Sequence, residues 1–416
     1  MREVVLGNSL TLAMVPCEAE SVAAGVFVAS GSRHEPAKVA GISHFIEHML
    51  FKGTAKRRAI DITKAIEGRG GMFNACTGEE STCYFVHMPD EYLAEAIDIL
   101  ADMYLHAAMR KDDFELEKQV ILEEIKMYAD DPSSVAAENM QRALFPDNPL
   151  GAPVAGSPES LLPMTPRDLK DYMKRHYLSS NTIVAITGKF DEKEAERIVR
   201  KAFGRKLAAR REEAFRAKKV DFSGKVVPSV SVDKDIAQTQ LALGYRTFGL
   251  EDARRYAATV AAAILGRGMS SRLFQEVREK RGLSYDISAL MQFFRDAGMF
   301  SVTAGMDGAK AEKALATIDR ELAKICAKKV PLEELERTKE FLAGNFRLSM
   351  EKMVSKLFFV GSGYLSYGRL LSPKDEVAAI RAVTAADVMA VARDMFRPEN
   401  RAVSWVVPRS PRQGGV

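Results

Sequence analysis

Residues 22–30, VAAGVFVAS, alternate small and apolar side chains as a β-strand does, and residues 236–245, IAQTQLALGY, repeat this pattern. Each stretch is followed by two helical patterns, two further strand-like runs and a long amphipathic helix. The strand-like runs lie at 71–77 and 81–88 in the first half, and at 285–292 and 297–305 in the second. The chain therefore contains two copies of one structural unit.

Strands and helices mix in each copy without steady βαβ alternation, which predicts an α+β fold. We expect two tandem homologous units, each a mainly antiparallel sheet with helices packed on one face. The stretch GRKLAARREEAFRAKKVDFSG is dense in charge and poor in large apolar residues, which is typical of a linker. The predicted segments are an N-terminal domain at 1–205, a charged linker at 206–225, a C-terminal homologous domain at 226–408 and a disordered tail at 409–416.

Charge and hydropathy exclude two classes of partner. The 416 residues include 60 Lys and Arg against 56 Asp and Glu, a net charge of +4 that argues against a dedicated nucleic-acid binder. The longest nearly apolar stretch, 256–265, is about half of the ~20 residues that a membrane span requires. The N-terminal sequence MREVVLGNSLTLAMVP reads as a strand rather than a signal peptide, so we expect a cytoplasmic protein.

Four cysteines, at positions 17, 76, 83 and 326, are too few and too scattered for a disulfide scaffold. We expect free thiols in a reducing compartment. Cys76 and Cys83 are close enough in sequence to face each other across a hairpin, so a bridge between these two stays open.

All six histidines fall in the first copy, so only that copy can hold a histidine metal site. Two of them belong to the stretch HFIEH, in which His44 and His48 lie one helical turn apart and Glu47 lies on the flank of the same face. Two imidazoles at this spacing can bind one metal ion, and the carboxylate beside them can reach a bound water. The alternative is a helix whose histidines merely cover the core.

The third protein ligand of a catalytic zinc site must come from another segment. The candidate is FELEKQVILEEIKMYADDP, at 114–132, which we predict to be a helix stopped by Pro132. Glu117 and Glu124 are two turns apart on one face of this helix, whereas Glu123 points elsewhere. Spacing alone leaves Glu117 and Glu124 nearly tied as the ligand.

The order HFIEH, FKGT, GGMFNACT and EKQVILEEI resembles the inverzincin zinc peptidases, the family of pitrilysin, insulin-degrading enzyme and the mitochondrial processing peptidase. Among these, the chain is most similar to a short, two-domain bacterial type. The resemblance implies one Zn²⁺ per chain, bound by His44, His48 and Glu124. It also implies that Glu117 supports the site without being a zinc ligand itself.

The same resemblance implies roles for further residues. Glu47 would be the general base. In the second copy, the stretch REKRGLSY looks like the family's arginine and tyrosine that reach the substrate, here Arg278 and Tyr285. The remaining implied contacts are Asn74 and Ala75, which would bind the substrate backbone as an added strand at a sheet edge, and Phe51, which would line the pocket beyond the scissile bond.

These residues together predict a processing-peptidase-like zinc metalloendopeptidase. It would hydrolyse extended peptides or unfolded protein segments, with a zinc-bound water as nucleophile. Two alternatives are a non-catalytic core or assembly subunit and a zinc-containing peptide-binding protein of the same fold. The long relatives have four such units and this chain has two, so we expect a homodimer; a heterodimer with an inactive partner is the alternative.

Overall fold

The computed structural model describes residues 1–204 and 218–409. Of the predicted linker, residues 206–217 lie outside this described part, as do residues 410–416 of the predicted tail. The described chain forms two compact units, each built round one sheet. No helix within the described ranges is both long and apolar enough to cross a membrane.

The first unit comprises Met1–Ile125, Ala152–Lys218 and Arg347–Ser372. Its six strands are β1 (Arg2–Val5), β2 (Thr11–Pro16), β3 (Ser21–Val28), β4 (Met72–Thr77), β5 (Thr82–Pro89) and β6 (Thr182–Gly188). They pair in the order β1-β2-β6-β3-β5-β4, and β2 with β6 is the one parallel pair. Strand β4 therefore lies at the edge of the sheet, and no strand in the described ranges pairs with its other side.

Eight helices begin in the first copy of the repeat. They are α1 (Ile42–Leu50), α2 (Ala59–Glu67), α3 (Leu93–His106), α4 (Lys111–Asp130), α5 (Pro132–Leu144), α6 (Pro158–Leu161), α7 (Pro166–His176) and α8 (Glu192–Phe203). The buried faces of α1, α3, α7 and α8 cover one face of the sheet with large apolar side chains, including Phe45, Ile97, Leu169 and Phe203. Burial of this apolar surface is the main force that holds α1 on the sheet.

The second unit comprises Lys126–Gly151, Lys219–Phe346 and Pro373–Val416. Its strands are β7 (Ser229–Lys234), β8 (Thr239–Thr247), β9 (Asp286–Phe293), β10 (Gly298–Met306) and β11 (Arg401–Pro408). They pair in the order β7-β11-β8-β10-β9, again with one parallel pair, β7 with β11. The shared topology confirms the predicted fold class: α+β, as two tandem units with mainly antiparallel sheets.

The second half of the chain contributes α9 (Arg255–Gly266), α10 (Ala311–Ala327), α11 (Leu332–Ser349), α12 (Met353–Tyr367), α13 (Pro373–Ala382) and α14 (Ala385–Met395). A π-helical segment, Phe274–Glu279, precedes β9.

Each sheet is covered on its second face by a helix from the other half of the sequence. In the first unit, Leu357 of α12 packs with Phe27 and Phe85. In the second unit, Met140 of α5 packs with Ala242. The prediction of helices on one face was therefore incomplete, and the compact units interleave along the sequence instead of following the predicted segments 1–205 and 226–408.

The predicted helix at 114–132, stopped by Pro132, corresponds to α4, which ends at Asp130. Pro132 is the first residue of α5, and Asp131 caps that helix by accepting the Ser134 N–H. The described part of the predicted linker is held in place. The buried Arg246 guanidinium donates to the carbonyls of Asp221, Phe222 and Gly224, at 2.9–3.2 Å.

Candidate functional site

Helix α1 carries the HFIEH stretch and starts at a tightly specified point. Gly41 precedes it with φ of +93°, and a Cβ there would lie 2.5 Å from the carbonyl oxygen of Ala155. The buried Glu35 carboxylate accepts the N–H groups of Gly41 at 2.6 Å and Ser43 at 2.8 Å. These bonds satisfy backbone donors at the N-terminus of α1 and fix where the helix begins.

Helix α4 packs on α1 through a stacked aromatic pair. The rings of Phe45 and Phe114 lie 4.6 Å apart at an interplanar angle of 12°. This contact sets the two helices side by side, with the glutamates of α4 facing the histidines of α1.

Three side chains converge at this helix pair. Glu124 Oε2 lies 3.4 Å from His48 Nε2 and 3.7 Å from His44 Nε2. One ligand atom of each of the three residues lies within 4.8 Å of the other two. In the part of the chain that the structure describes, no other group of histidine, cysteine or acidic side chains meets this criterion.

Glu117 and Glu124, which spacing alone left nearly tied, have different surroundings. Glu117 is buried and its Oε2 lies 3.0 Å from His48 Nδ1, behind the imidazole rather than at the shared centre. The ammonium of Lys52 contacts the other oxygen of Glu117. Burial alone would raise the pKa of Glu117, but the hydrogen bonds to His48 and Lys52 outweigh it and lower the pKa. The carboxylate is therefore ionised and holds the Nδ1–H tautomer of His48.

The pKa values of the two imidazoles shift in opposite directions. Burial, and then the neighbouring His48, lower the pKa of His44 to about 4, so His44 is neutral at pH 7 and its nitrogen lone pair is available. Burial also acts to lower the pKa of His48, yet Glu117 and the charges of Glu124 and Glu47 raise it overall. The His44 Nδ1 is buried and has no hydrogen-bond partner among the described residues.

The donor set fits a zinc ion. Two imidazole nitrogens and one carboxylate are a common protein contribution to catalytic zinc, with the fourth position left to water. Ligand atoms about 2.0–2.2 Å from a tetrahedral ion are roughly 3.4 Å apart, close to the two nitrogen–oxygen distances given above. The Glu117 contact adds the carboxylate–histidine pairing that usually orients a zinc-bound imidazole.

A second carboxylate lies beside these donors. Glu47 Oε2 accepts a 2.5 Å hydrogen bond from Thr77 Oγ1 on β4. Burial raises the pKa of Glu47 more than this bond and the neighbouring His48 lower it. A carboxylate held in place with a raised pKa has the properties of a general base.

The edge strand β4 presents backbone groups to its open side. Gly78 N–H donates to Ser81 O at 2.9 Å, so alternation along the ladder directs the backbone groups of Asn74 toward β5 and those of Ala75 outward. The outward Ala75 N–H is covered by the side-chain oxygen of Asn74, at 2.8 Å. An arriving peptide strand could replace this local bond.

Phe51 ends α1 beside the same strand. Its ring lies 5.4 Å from the ring of Phe73, and both side chains are half-buried against the core. The structure thus brings Phe51, Asn74 and Ala75 into the first unit with the histidines and glutamates.

Arg278 and Tyr285 lie in the second unit. The Arg278 guanidinium lies 4.7 Å from the ring centre of Phe274 and 5.1 Å from that of Tyr285. Tyr285 is 77% exposed, which is unusual for a large aromatic side chain. The structure therefore places Arg278 next to Tyr285.

Three contacts of the site were not predicted from the sequence: Glu35 with α1, Lys52 with Glu117, and Thr77 with Glu47. Strand alternation could have found Thr77, because Phe73, Ala75 and Thr77 share the half-buried face of β4. Glu35 gave no such signal, because it lies in an irregular segment outside the helix that it caps.

Comparison with known proteins gives the chain its family. The family profile described as "Insulinase (Peptidase family M16)" matches residues 14–158, and the one described as "Peptidase M16 inactive domain" matches residues 163–342. A Mycobacterium leprae protein named "Uncharacterized zinc protease" is 38% identical over 379 residues, which are 90% of this chain and 84% of the relative. The "Uncharacterized zinc protease YmxG" of Bacillus subtilis is 32% identical over 405 residues, which are 97% of this chain and 96% of the relative.

The fold is likewise similar to that of solved structures. The crystal structure of a protease from Helicobacter pylori superposes with a TM-score of 0.93 at 23% identity, covering 98% of this chain and 99% of that one. The family assignment rests on the curated relatives, and the similarity to this solved structure agrees with it as far as the fold is concerned. The chain therefore belongs to peptidase family M16, the insulinase family, in its bacterial two-domain branch.

Proposed function

We propose that the protein is a zinc metalloendopeptidase that hydrolyses extended peptides or unfolded protein segments. The observation that carries this proposal is the convergence of His44, His48 and Glu124 with a further carboxylate, Glu47, restrained beside them by Thr77. One zinc ion per chain, held by the first three residues, is part of the proposal. The names of the curated relatives as zinc proteases support it.

A zinc ion held there would supply Lewis acidity, which polarises a carbonyl and lowers the pKa of a water. Glu47 accepts a proton from the attacking water, which its raised pKa favours, and then returns it to the leaving amine. Glu117 keeps His48 in the tautomer that leaves Nε2 free.

The substrate binds as an added strand at the open edge of β4. The outward backbone groups of Ala75 pair with the peptide, and Asn74 releases the Ala75 N–H when the peptide arrives. This mode selects extended chains, because a helical or folded segment offers no free strand edge. Phe51 lines the pocket for the residue beyond the scissile bond.

Arg278 and Tyr285 complete the chemistry in this proposal. The hydroxyl of Tyr285 donates to the developing oxyanion, and Arg278 holds the substrate backbone. The exposure of Tyr285 supports this role, since its ring reaches solvent instead of the core of its own unit.

The test is the Glu47→Gln variant, assayed with a fluorogenic peptide alongside metal analysis. The amide keeps the shape of the side chain and loses its basicity, so we expect zinc at wild-type content and turnover lowered by at least about a thousandfold. Glu123→Gln, an exposed change on α4, is the matched control and should keep full activity. Near wild-type turnover of Glu47→Gln would exclude the general-base role.

The two alternative functions give different results in the same experiment. A wild-type protein with zinc that binds peptide but does not cleave it would be a zinc-containing binding protein. A protein with neither stoichiometric zinc nor cleavage would be a non-catalytic subunit of the fold.

Strand addition has its own test. Ala75→Pro removes the outward N–H but leaves the β4–β5 ladder bonds intact, a change that edge strands tolerate. We expect kcat/KM for peptides to fall by about tenfold, the effect of roughly 1.4 kcal/mol, with unchanged zinc content. Ala75→Ser keeps the N–H and should behave as wild type. Equal kcat/KM in the proline variant would argue against pairing at Ala75.

A further inference from the structure

Cys76 and Cys83 face each other across the β4–β5 hairpin. The register of this hairpin pairs the two cysteines directly, two residues beyond the Gly78–Ser81 pair that closes it. Directly paired residues of antiparallel strands point to the same face of the sheet. Both thiols, like those of Cys17 and Cys326, are free in the structure.

The backbone spacing suits a disulfide. Hydrogen-bonded pairs of antiparallel strands have Cα atoms about 5.5 Å apart. Disulfides usually join Cα atoms roughly 4.4–6.8 Å apart, so the two strands need no large movement for the bond to form.

The two thiols differ in access and acidity. Cys76 is exposed on the edge strand, whereas Cys83 is 2% exposed and packs with Phe27 and Phe85. The hydrogen bond between the two thiols lowers the pKa of Cys76 more than partial burial and the charge of Glu47 raise it. Burial raises the pKa of Cys83. This is the usual arrangement of a reactive, accessible thiol beside a resolving one.

We propose that Cys76 and Cys83 are a modification site: a reversible dithiol–disulfide pair that reacts with low-molecular-weight disulfides such as glutathione disulfide. The Cys76 thiolate attacks one sulfur of glutathione disulfide, forms a mixed disulfide and releases one glutathione. Cys83 then loses its proton to solvent and attacks Cys76 Sγ, so that the Cys76–Cys83 bond forms and the second glutathione leaves. Two electrons pass from the protein thiols to glutathione disulfide.

The location gives this pair a consequence for the site. Cys76 shares its face of β4 with Asn74, on the strand to which the proposed function adds the substrate. A glutathione that stayed on Cys76 would cover this edge, and Cys83 removes it in favour of a compact bond between the two strands. This consequence rests on the proposed function, whereas the thiol chemistry does not.

The test treats the reduced protein with glutathione disulfide and maps its cysteines by mass spectrometry. We expect wild type to form a Cys76–Cys83 cross-link that dithiothreitol reverses, with little glutathione retained. Cys83→Ser and Cys83→Ala should each retain glutathione on Cys76, and Cys76→Ser should leave Cys83 unmodified. The proposal is overturned if wild type keeps both thiols, or if it accumulates glutathione on Cys76 as the Cys83 variants do.

Peptide hydrolysis is measured on the same samples. Glutathione on Cys76 of Cys83→Ser should raise KM several-fold, and oxidised wild type should change less. If the cross-link forms but the protein has no peptidase activity, the result supports the thiol proposal and contradicts the proposed function. A cross-link with equal KM in all active samples would exclude the consequence for the substrate edge.

Discussion

Thr77 joins the edge strand to Glu47, the proposed general base, since its hydroxyl donates to Glu47 Oε2. Thr77→Val keeps the shape of the side chain and removes this bond. We expect kcat to fall by about tenfold, as the carboxylate loses roughly 1.4 kcal/mol of restraint, with zinc content unchanged. Steady-state kinetics and metal analysis measure both quantities. Thr77→Ser keeps the hydroxyl and is the control; wild-type kcat in Thr77→Val would show that Glu47 needs no such restraint.

In the proposed zinc site, Glu117 would act on the metal through His48. Glu117→Gln weakens the acceptor at His48 Nδ1 and leaves the ammonium of Lys52 without its carboxylate. We expect zinc affinity to fall by about 10- to 100-fold, the usual effect of removing a partner that orients a zinc ligand. Competition with a chelator measures it. Glu115→Gln, on the exposed side of α4, should leave the affinity unchanged, and equal affinity in both variants would remove Glu117 from the site.

The sequence predicted that the histidines of α1 and the glutamates of α4 lie together, but not which role each glutamate has. The helical spacing of His44 and His48 predicted that both imidazoles share one face of α1, because i and i+4 share a face whatever the tertiary contacts are. It could not separate Glu117 from Glu124, since residues seven apart share a face too. The tertiary packing of α4, which includes the stack of Phe114 on Phe45, gives each glutamate its partner.

At the scale of elements, helix α12 approaches the sheet more closely than a side chain would allow. A Cβ at Gly361 would lie 2.2 Å from the ring of Phe27. At Gly363 of the same helix, the nearest atom to an added Cβ is in Leu371, at 3.6 Å. The two glycines therefore form a matched pair, one required by packing and one not.

Alanine substitutions at this pair should have opposite effects on stability. Gly361→Ala forces Phe27 or the helix to move, and we expect a loss of about 1–3 kcal/mol in the free energy of unfolding. Gly363→Ala meets ordinary contact and reduces the freedom of the unfolded chain, so we expect a gain of about 0.5–1 kcal/mol. Denaturant unfolding measures both. A stabilising Gly361→Ala would mean that α12 packs more loosely on β3 than the structure has it.

The sequence could not predict that α5 and α12 each pack on the sheet formed by the other half of the chain. The predicted strands at 71–77, 81–88, 285–292 and 297–305 lie within a residue of β4, β5, β9 and β10, because alternation is a local property. An apolar helix face shows that it is buried but not against which sheet. Gly244 and Gly361, where these two helices come close, gave no signal that could be distinguished from turn glycines.

At the scale of the whole molecule, the residues proposed for catalysis are divided between the two compact units. The proposed metal ligands and Glu47 belong to the first unit, and Arg278 and Tyr285 belong to the second. Tyr285 contacts the Arg278 guanidinium and is otherwise largely exposed. We propose that the working assembly is a homodimer in which each chain supplies Tyr285 to the zinc site of the other.

Mixing two inactive variants tests this assembly. Glu47→Gln lacks the base and Tyr285→Phe lacks the oxyanion donor, so homodimers of either are inactive. If the two groups act across the interface, a mixed dimer pairs both lesions in one site and leaves the other intact, because the symmetry is twofold. We expect recovery of up to about half of the wild-type activity once subunits have exchanged. Confirmed exchange without recovery would mean that each chain builds its own site. A chain that remains monomeric while fully active would exclude the homodimer. The proposed zinc chemistry would then be judged by the Glu47→Gln result alone.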